Sequence, residues 1–237
     1  MKKLRRWTKN FLIKFIKLFS LEKEIHDFFS SATQRYANQS LENGFLYEIG
    51  WTNSFNKKLP VDKNNNPIPF FSYSMTHFLE NYLDKNMTIF EFGSGNSTLF
   101  FAERVKRVVS VEHDKKWYER ALSLIPKNVE MIFQELEYDG DYCKTLRKLN
   151  ETVDIIFVDG RDRVNCIKES AFSLNTGGII ILDDSERERY KETFDFLKEN
   201  GFNYFSIDGI SPGIFEFHKT TIFFKDDSLI KHVRKTI

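Results

Sequence analysis

The sequence predicts an α/β protein with a mostly parallel, seven-stranded sheet and helices on both faces. Three observations lead there. Short strand-like runs recur through the chain, and helix-patterned stretches separate most of them. The runs are also continuously apolar rather than alternating, as strands covered on both faces must be.

The expected strands are Met87 to Phe92, Val108 to Glu112, Val129 to Phe133, Val153 to Asp159, Gly178 to Leu182, Tyr204 to Ile207 and Thr221 to Phe224. The expected helices between them are Ser97 to Val105, Lys115 to Ser123, Tyr142 to Leu149, Cys166 to Leu174 and Ser185 to Asn200. No long helix separates the last two strands, so the sheet should end as a hairpin with one antiparallel strand. Ahead of the first strand, Met75, Phe78, Leu79, Tyr82 and Leu83 are spaced for a helix from Tyr73 to Leu83. The Asn-, Lys- and Pro-rich run from Thr52 to Pro69 reads as a long loop, and residues 22 to 50 as polar helical stretches with aromatics.

Residues 1 to 21 are different in kind. They carry seven basic residues and no acid, a charge of +7, which leaves 28 basic and 34 acidic residues and a net −6 for the rest. On a helix, Trp7, Phe11, Leu12, Phe15, Ile16, Leu18 and Phe19 share one side, with Ile13 out of place, while Lys2, Lys3, Arg6, Lys9, Lys14 and Lys17 share the other. Lys14 and Lys17 interrupt the apolar stretch and no small-residue cleavage site follows, which argues against a secretory signal. Two readings remain: a helix lying on an anionic membrane surface, or one packed on protein. The resulting division is a basic amphipathic helix (1–21), a helical and loop region contributing to a substrate site (22–86) and a cofactor-binding domain (87–237).

Composition narrows the function. With 25 phenylalanines and 29% charged residues, 237 residues can build a substantial soluble core. No apolar run is long enough to span a bilayer, and Cys143 and Cys166 offer neither a disulfide framework nor metal-ligand spacing. A reducing, cytoplasmic setting fits, with attachment to the inner membrane face as the variant that residues 1–21 suggest. The acidic main body argues against a nucleic-acid partner.

The candidate binding residues stand at successive strand ends, where open α/β sheets bind ligands. Glu91-Phe-Gly-Ser-Gly-Asn-Ser follows the first strand, and Gly93 and Gly95 would let the backbone turn and approach a ligand. Thr98 replaces the third glycine of a dinucleotide fingerprint, which weakens a nicotinamide cofactor. Glu112 ends the second strand nineteen residues after Gly93, where a carboxylate can accept ribose hydroxyl protons, and His113 and Asp114 follow it. Trp117 reads as helix packing rather than an adenine contact. Gln134 and Glu135 end the third strand, where either could meet an adenine edge.

Together, Glu91-Phe-Gly-Ser-Gly-Asn-Ser-Thr, Val111-Glu-His-Asp, Val158-Asp-Gly-Arg-Asp-Arg and Gly177-Gly-Ile-Ile-Ile-Leu-Asp-Asp-Ser resemble the motifs of class I S-adenosylmethionine methyltransferases. More narrowly they resemble a bacterial group associated with glycan and surface-polysaccharide modification, with Pro60-Val-Asp and Asn66-Pro-Ile-Pro ahead of the glycine loop. The resemblance spans roughly residues 45 to 225 and implies a Rossmann-like fold whose last strand is reversed. It implies that Glu91 orients the loop and the donor's amino end, Gly93, Ser94, Gly95, Asn96 and Ser97 line the methionine part, and Glu112 holds the ribose, with His113 beside it among the cofactor-binding residues. Glu135 or Gln134 would face adenine. Ser97 stands where the fuller loop has a third glycine.

For chemistry, Asp159 at the end of the fourth strand is the candidate base for a hydroxyl acceptor, or a holder of the donor's amino group, or a partner of Arg163. Asp183 and Asp184 end the fifth strand. With Asp159 they could hold a divalent metal, though a metal-free site is the expectation, or one of them could cap a helix starting near Ser185. His113 and His218 rank below Asp159. Arg161 and Arg163 offer guanidinium forks to an acidic, nucleotide-linked or lipid-linked sugar. The rivals are an NAD-dependent oxidoreductase, a non-catalytic membrane adapter and an aminopropyltransferase-like enzyme.

Overall fold

The computed structural model describes residues 31–225, so the basic segment 1–21 lies outside the described residues. Residues 1–48 and 49–237 separate as two units. Within the described part of the first are α1 (Ala32–Glu42), whose N-terminus is capped by the Ser31 hydroxyl accepting from the Gln34 N–H, and the short α2 (Phe45–Glu48). Residues 49–86 belong to the same unit as the sheet.

The second unit contains α3 (Trp51–Lys57), α4 (Tyr73–Tyr82), β1 (Thr88–Phe92), α5 (Asn96–Ala102), β2 (Arg107–Glu112), α6 (Lys115–Ala121), β3 (Val129–Phe133) and α7 (Thr145–Leu149). It continues with β4 (Val153–Val158), α8 (Arg163–Ser170), β5 (Leu174–Leu182), α9 (Lys191–Glu199), β6 (Asn203–Ile210) and β7 (Phe217–Phe224). The sheet order is β3-β2-β1-β4-β5-β7-β6. Pairings are parallel from β3 through β5, and β7 runs antiparallel to both β5 and β6.

Strand periodicity explains why both faces are apolar. Ile89, Val108, Ile155, Phe157, Ile179 and Ile181 point to the face covered by Phe71, Met75 and Leu79 before and on α4 and by Phe100 and Phe101 of α5. Their neighbours Phe90, Phe92, Val109, Val111, Ile156, Val158 and Ile180 point to the other, beneath Tyr142, Leu146, Cys166 and Ile167. Both cysteines are buried, free thiols. Among the described residues no helix is long and apolar enough to cross a membrane.

Three local expectations change. The run read as one long loop contains α3, because Trp51 donates its ring N–H to the Ile214 carbonyl at 2.9 Å and the Ser54 hydroxyl donates to Val61 O at 2.7 Å; tertiary partners stabilise a polar turn of helix that carries little apolar pattern. After α3, Asp62 accepts from the N–H groups of Asn64 and Asn66, both at 2.8 Å, which closes the turn that brings Val61 opposite Pro67. The helix expected over Cys166 to Leu174 lies over Arg163–Ser170 instead, and β5 already begins at Leu174. Between the pairs Val153/Leu174 and Ile155/Ile179, β4 advances two residues and β5 five, a bulge that breaks the strand pattern.

Candidate functional site

β1 lies between β2 and β4, so the chain leaves β1 in opposite directions to reach its two neighbours. A crevice opens at the carboxyl ends of strands around such a switch point. Here it is a cavity of about 470 Å³ at the ends of β1, β2 and β4, within the size range of small-ligand sites. Its floor is a close approach of two turns. Gly93 has φ +102°, and a Cβ there would come within 3.2 Å of the Gly160 N; a Cβ on Gly160 would lie 2.2 Å from the Tyr142 hydroxyl and 3.0 Å from the Phe92 backbone. Glycine is required in both turns for β1 and β4 to end side by side.

On the β1/β2 side, two carboxylates are held without any arginine or lysine. Glu91 is 1% exposed; Ser97 donates to one of its oxygens and Thr98 to the other, the latter at 2.6 Å. Thr98 also accepts from the Gly95 N–H at 3.0 Å, so the residue that departs from the dinucleotide pattern ties the loop to the buried acid. Burial raises the Glu91 pKa to about 7, against the lowering by hydroxyl hydrogen bonds. Glu112 is 4% exposed: Oε1 accepts from the His113 and Asp114 N–H groups, each at 2.8 Å, and Oε2 from the Ser94 hydroxyl at 2.7 Å. Asp114 caps α6 by accepting from the Trp117 N–H.

On the β4/β5 side, acids and bases alternate. The buried Arg163 donates Nη2 to Asp159 Oδ1 at 2.8 Å and to the Asp159 carbonyl at 2.9 Å, Nε to the Gly160 carbonyl at 3.1 Å and Nη1 to the Asp183 carbonyl. The same guanidinium lies 3.1 Å from Asp184 Oδ2, which Arg187 also approaches at 2.8 Å. Asp183 Oδ1 faces His218 Nε2 at 2.9 Å and accepts from the Thr220 hydroxyl at 2.8 Å. Burial alone would raise Asp183, but His218 and Arg163 hold it below the usual range; burial alone would lower His218, and Asp183 raises it. Asp159 lacks such a donor set, and burial together with the charge of Asp183 pushes it well above the usual carboxylate range despite Arg163.

Of the predicted residues, Glu91, Gly93, Ser94, Ser97, Glu112, His113, Asp159 and Arg163 come together in the cavity wall. Others do not. Gly95 has an extended backbone, φ 169°, which any residue adopts, so the turn does not depend on it. Together with Asn96 it borders a separate apolar recess, and the Asn96 amide is spent on the Pro60 carbonyl at 2.7 Å. Glu135 is exposed past the end of β3, and neither it nor Gln134 lines the cavity. Asp183 sits behind the wall on His218, and no helix starts at Ser185; a 3-10 turn spans Glu188–Tyr190 with Arg187 at its start and α9 follows from Lys191, so neither aspartate is a cap. Arg163 is consumed internally and cannot offer its fork to an acceptor.

Trp117 was expected to pack its helix. Instead it is 44% exposed, donates its ring N–H to the Ser94 carbonyl at 3.0 Å and lines the cavity. Its place one turn after Glu112, at the exposed start of α6, was the available signal. Asp183, Asp184 and His218 also bring three potential metal ligands within 4.8 Å of one another. The donors already on Asp183 and the two arginines on Asp184 fill that group, and Arg163 supplies the charge that a cation would bring.

Residues 90–185 match the model of a family described as a methyltransferase domain. The chain has the Rossmann-like fold of methyltransferases and matches their domain over those residues. The matched stretch runs from β1 to the turn after β5 and holds every carboxylate of the cavity wall and the network behind it; S-adenosylmethionine is the methyl donor of such enzymes. Solved structures agree on the fold. A protein from Klebsiella pneumoniae assigned as an O-methyltransferase is 16% identical, with 83% of this chain and 97% of that chain covered and a TM-score of 0.53. A methyltransferase-like protein from Silicibacter pomeroyi is 22% identical, with 72% and 97% covered and a TM-score of 0.50. A precorrin 8w decarboxylase from Methanobacterium thermoautotrophicum is 17% identical, again with 72% and 97% covered and a TM-score of 0.50. No curated protein matches the chain.

The cavity suits the donor. Glu91, Glu112 and Asp159 give it an acidic wall for an ammonium, a sulfonium and ribose hydroxyls.

Proposed function

We propose that the chain methylates a hydroxyl oxygen on a sugar or glycan-related acceptor. The observation that carries the reading is Asp159: a carboxylate in the donor cavity, fixed by Arg163 through Oδ1, with its pKa raised by burial and by Asp183. The bound donor supplies an electrophilic methyl group on a sulfonium. Asp159 would take the acceptor's proton as its oxygen attacks that methyl, and a raised pKa makes the ionised group a stronger base. Glu112, preorganised by Ser94 and two N–H groups, would hold the ribose, and Glu91 would face the donor's amino end across Ser97. Arg163 acts as a positioning residue. The glycan class rests on the resemblance of the sequence motifs.

The test has two arms. Calorimetric titration should give saturable binding of S-adenosylmethionine and none of NAD; the reverse would turn the reading into an oxidoreductase. Turnover is then followed as labelled methyl transferred to a panel of sugar nucleotides and lipid-linked sugars, in wild type and in Asp159→Asn. The substitution keeps the shape and removes the base, so turnover should fall by about a hundredfold or more while donor affinity holds. An unchanged rate would remove Asp159 from the mechanism.

A further inference from the structure

A second recess adjoins the donor cavity and shares Gly160, Arg161 and Arg163 with it. Its charged rim comes from two segments: Arg161 in the turn after β4, and Arg187 and Arg189 in the loop after β5. These arginines are not equivalent. Arg187 is paired with Asp184 at 2.8 Å. Arg161 is exposed and has no carboxylate partner among the described residues, and Arg189 only stacks over the Tyr190 ring at 4.8 Å. The one acid in the lining, Asp162, is occupied by the Asp139 N–H and the Asn165 amide, each at 2.8 Å. The recess therefore presents two positive charges with no carboxylate partner among the described residues, from two segments of the chain, beside a donor cavity that also holds Glu91, Glu112 and Asp159.

Its size limits what it holds. At about 210 Å³ it is smaller than a typical site for a whole drug-sized ligand and fits a charged head group. A carboxylate is satisfied by a single bidentate fork, whereas guanidinium groups converging from two segments match the several oxygens and the higher charge of a phosphoryl group.

Building on the methyl-transfer reading, we infer that this recess binds a phosphate or diphosphate group of the acceptor through Arg161 and Arg189, which sets the neighbouring sugar hydroxyl beside Asp159. The acceptor is then methylated while still activated as a phosphate ester, so a reaction that transfers or releases the phosphorylated sugar must follow this step.

Inorganic pyrophosphate is the probe, titrated calorimetrically into the full chain with and without S-adenosylhomocysteine. Wild type should bind it saturably, and Arg161→Gln/Arg189→Gln should bind it at least about tenfold more weakly, since each lost charge-assisted bond contributes to affinity. The single variant Arg189→Gln, remote from the donor cavity, should bind S-adenosylhomocysteine as wild type does, which shows that the fold is intact. Uridine diphosphate binding more tightly than pyrophosphate would identify a nucleotide-linked acceptor, and a short polyprenyl diphosphate binding more tightly a lipid-linked one; both support the inference. Absent pyrophosphate binding, equal binding by the double variant, or equally tight binding of glucuronate would overturn it. Wild type that binds pyrophosphate but not S-adenosylhomocysteine would instead overturn the methyl-transfer reading, as a separate signal.

Discussion

On the β1/β2 side of the site, Glu91 and Glu112 are held by hydroxyls and backbone N–H groups, with the His113 ring 3.0 Å from Glu112 and no guanidinium; on the β4/β5 side, Asp159, Asp183 and Asp184 are held by Arg163, Arg187 and His218. The difference separates two uses of buried acid. Neutral donors orient a carboxylate without cancelling its charge, so the first side keeps a negative potential for a cationic ligand. Guanidinium and imidazole cancel charge, so the second side is an internally balanced network in which Asp159, the member exposed to the cavity, has the raised pKa. The first side is built to bind and the second to position.

The largest effect should come from breaking the balance. Arg163→Leu leaves Asp159 and Asp184 without their central partner and should cost about 3 to 5 kcal/mol in urea unfolding, the range for one side of a buried ion pair. Arg163→Lys should recover little, because an ammonium cannot reach four acceptors in one plane. A loss under about 1 kcal/mol would mean the network is not a stabilising unit.

Glu91 offers the converse experiment. Its folded pKa of about 7 exceeds its ordinary 4.5, so between those values the folded state holds the proton more tightly and stability falls as pH rises. Above pH 7 that loss is complete. Glu91→Gln should therefore stabilise the protein at pH 8 by up to about 3 kcal/mol and leave it nearly unchanged at pH 4. The same substitution should weaken the donor and flatten a wild-type affinity that declines as pH falls below 7. Melting temperatures and donor titrations across that window check both signs.

A smaller effect is expected at Glu112, where Glu112→Gln keeps the shape but weakens the charge-assisted bonds. Donor affinity should fall about tenfold to a hundredfold, for a loss of about 1.5 to 3 kcal/mol. Unchanged affinity in the folded variant would exclude Glu112 as the ribose ligand. Removing residues 1–21 should change neither side of the site. If that segment lies on an anionic membrane, its loss abolishes co-sedimentation with anionic vesicles and leaves donor affinity intact. The attraction, about 1 kcal/mol per basic residue, should weaken steeply with salt in the full chain. Equal sedimentation of both proteins would assign the helix to a protein surface.

Much of the site was legible because it is local. Gly93, Ser94 and Ser97 follow β1 within five residues, and Glu112 ends the next strand, so their convergence follows once the strands are parallel. The roles of Arg163, Asp183 and His218 were not legible. His218 lies 35 residues from Asp183 and meets it only because β7 inserts antiparallel beside β5. Arg163 looked like a ligand for the acceptor, since nothing in a short motif says that a guanidinium will turn inward. Trp117 was not legible for a similar reason: packing and lining a cavity demand the same residue type.

By itself the sequence determined the number of the central strands and their order along the chain, the burial of both faces of the sheet and the acids at the strand ends. Those depend on periodicity and on turns, which neighbours along the chain dictate. Only the tertiary structure decided which of those acids are neutralised and which remain available. It made Arg161 and Arg189, rather than Arg163, the uncompensated cations, and it required Gly160 to be glycine. Charge compensation and close approach are set by groups far apart in the chain, and their desolvation has a sign only when every neighbour is in place.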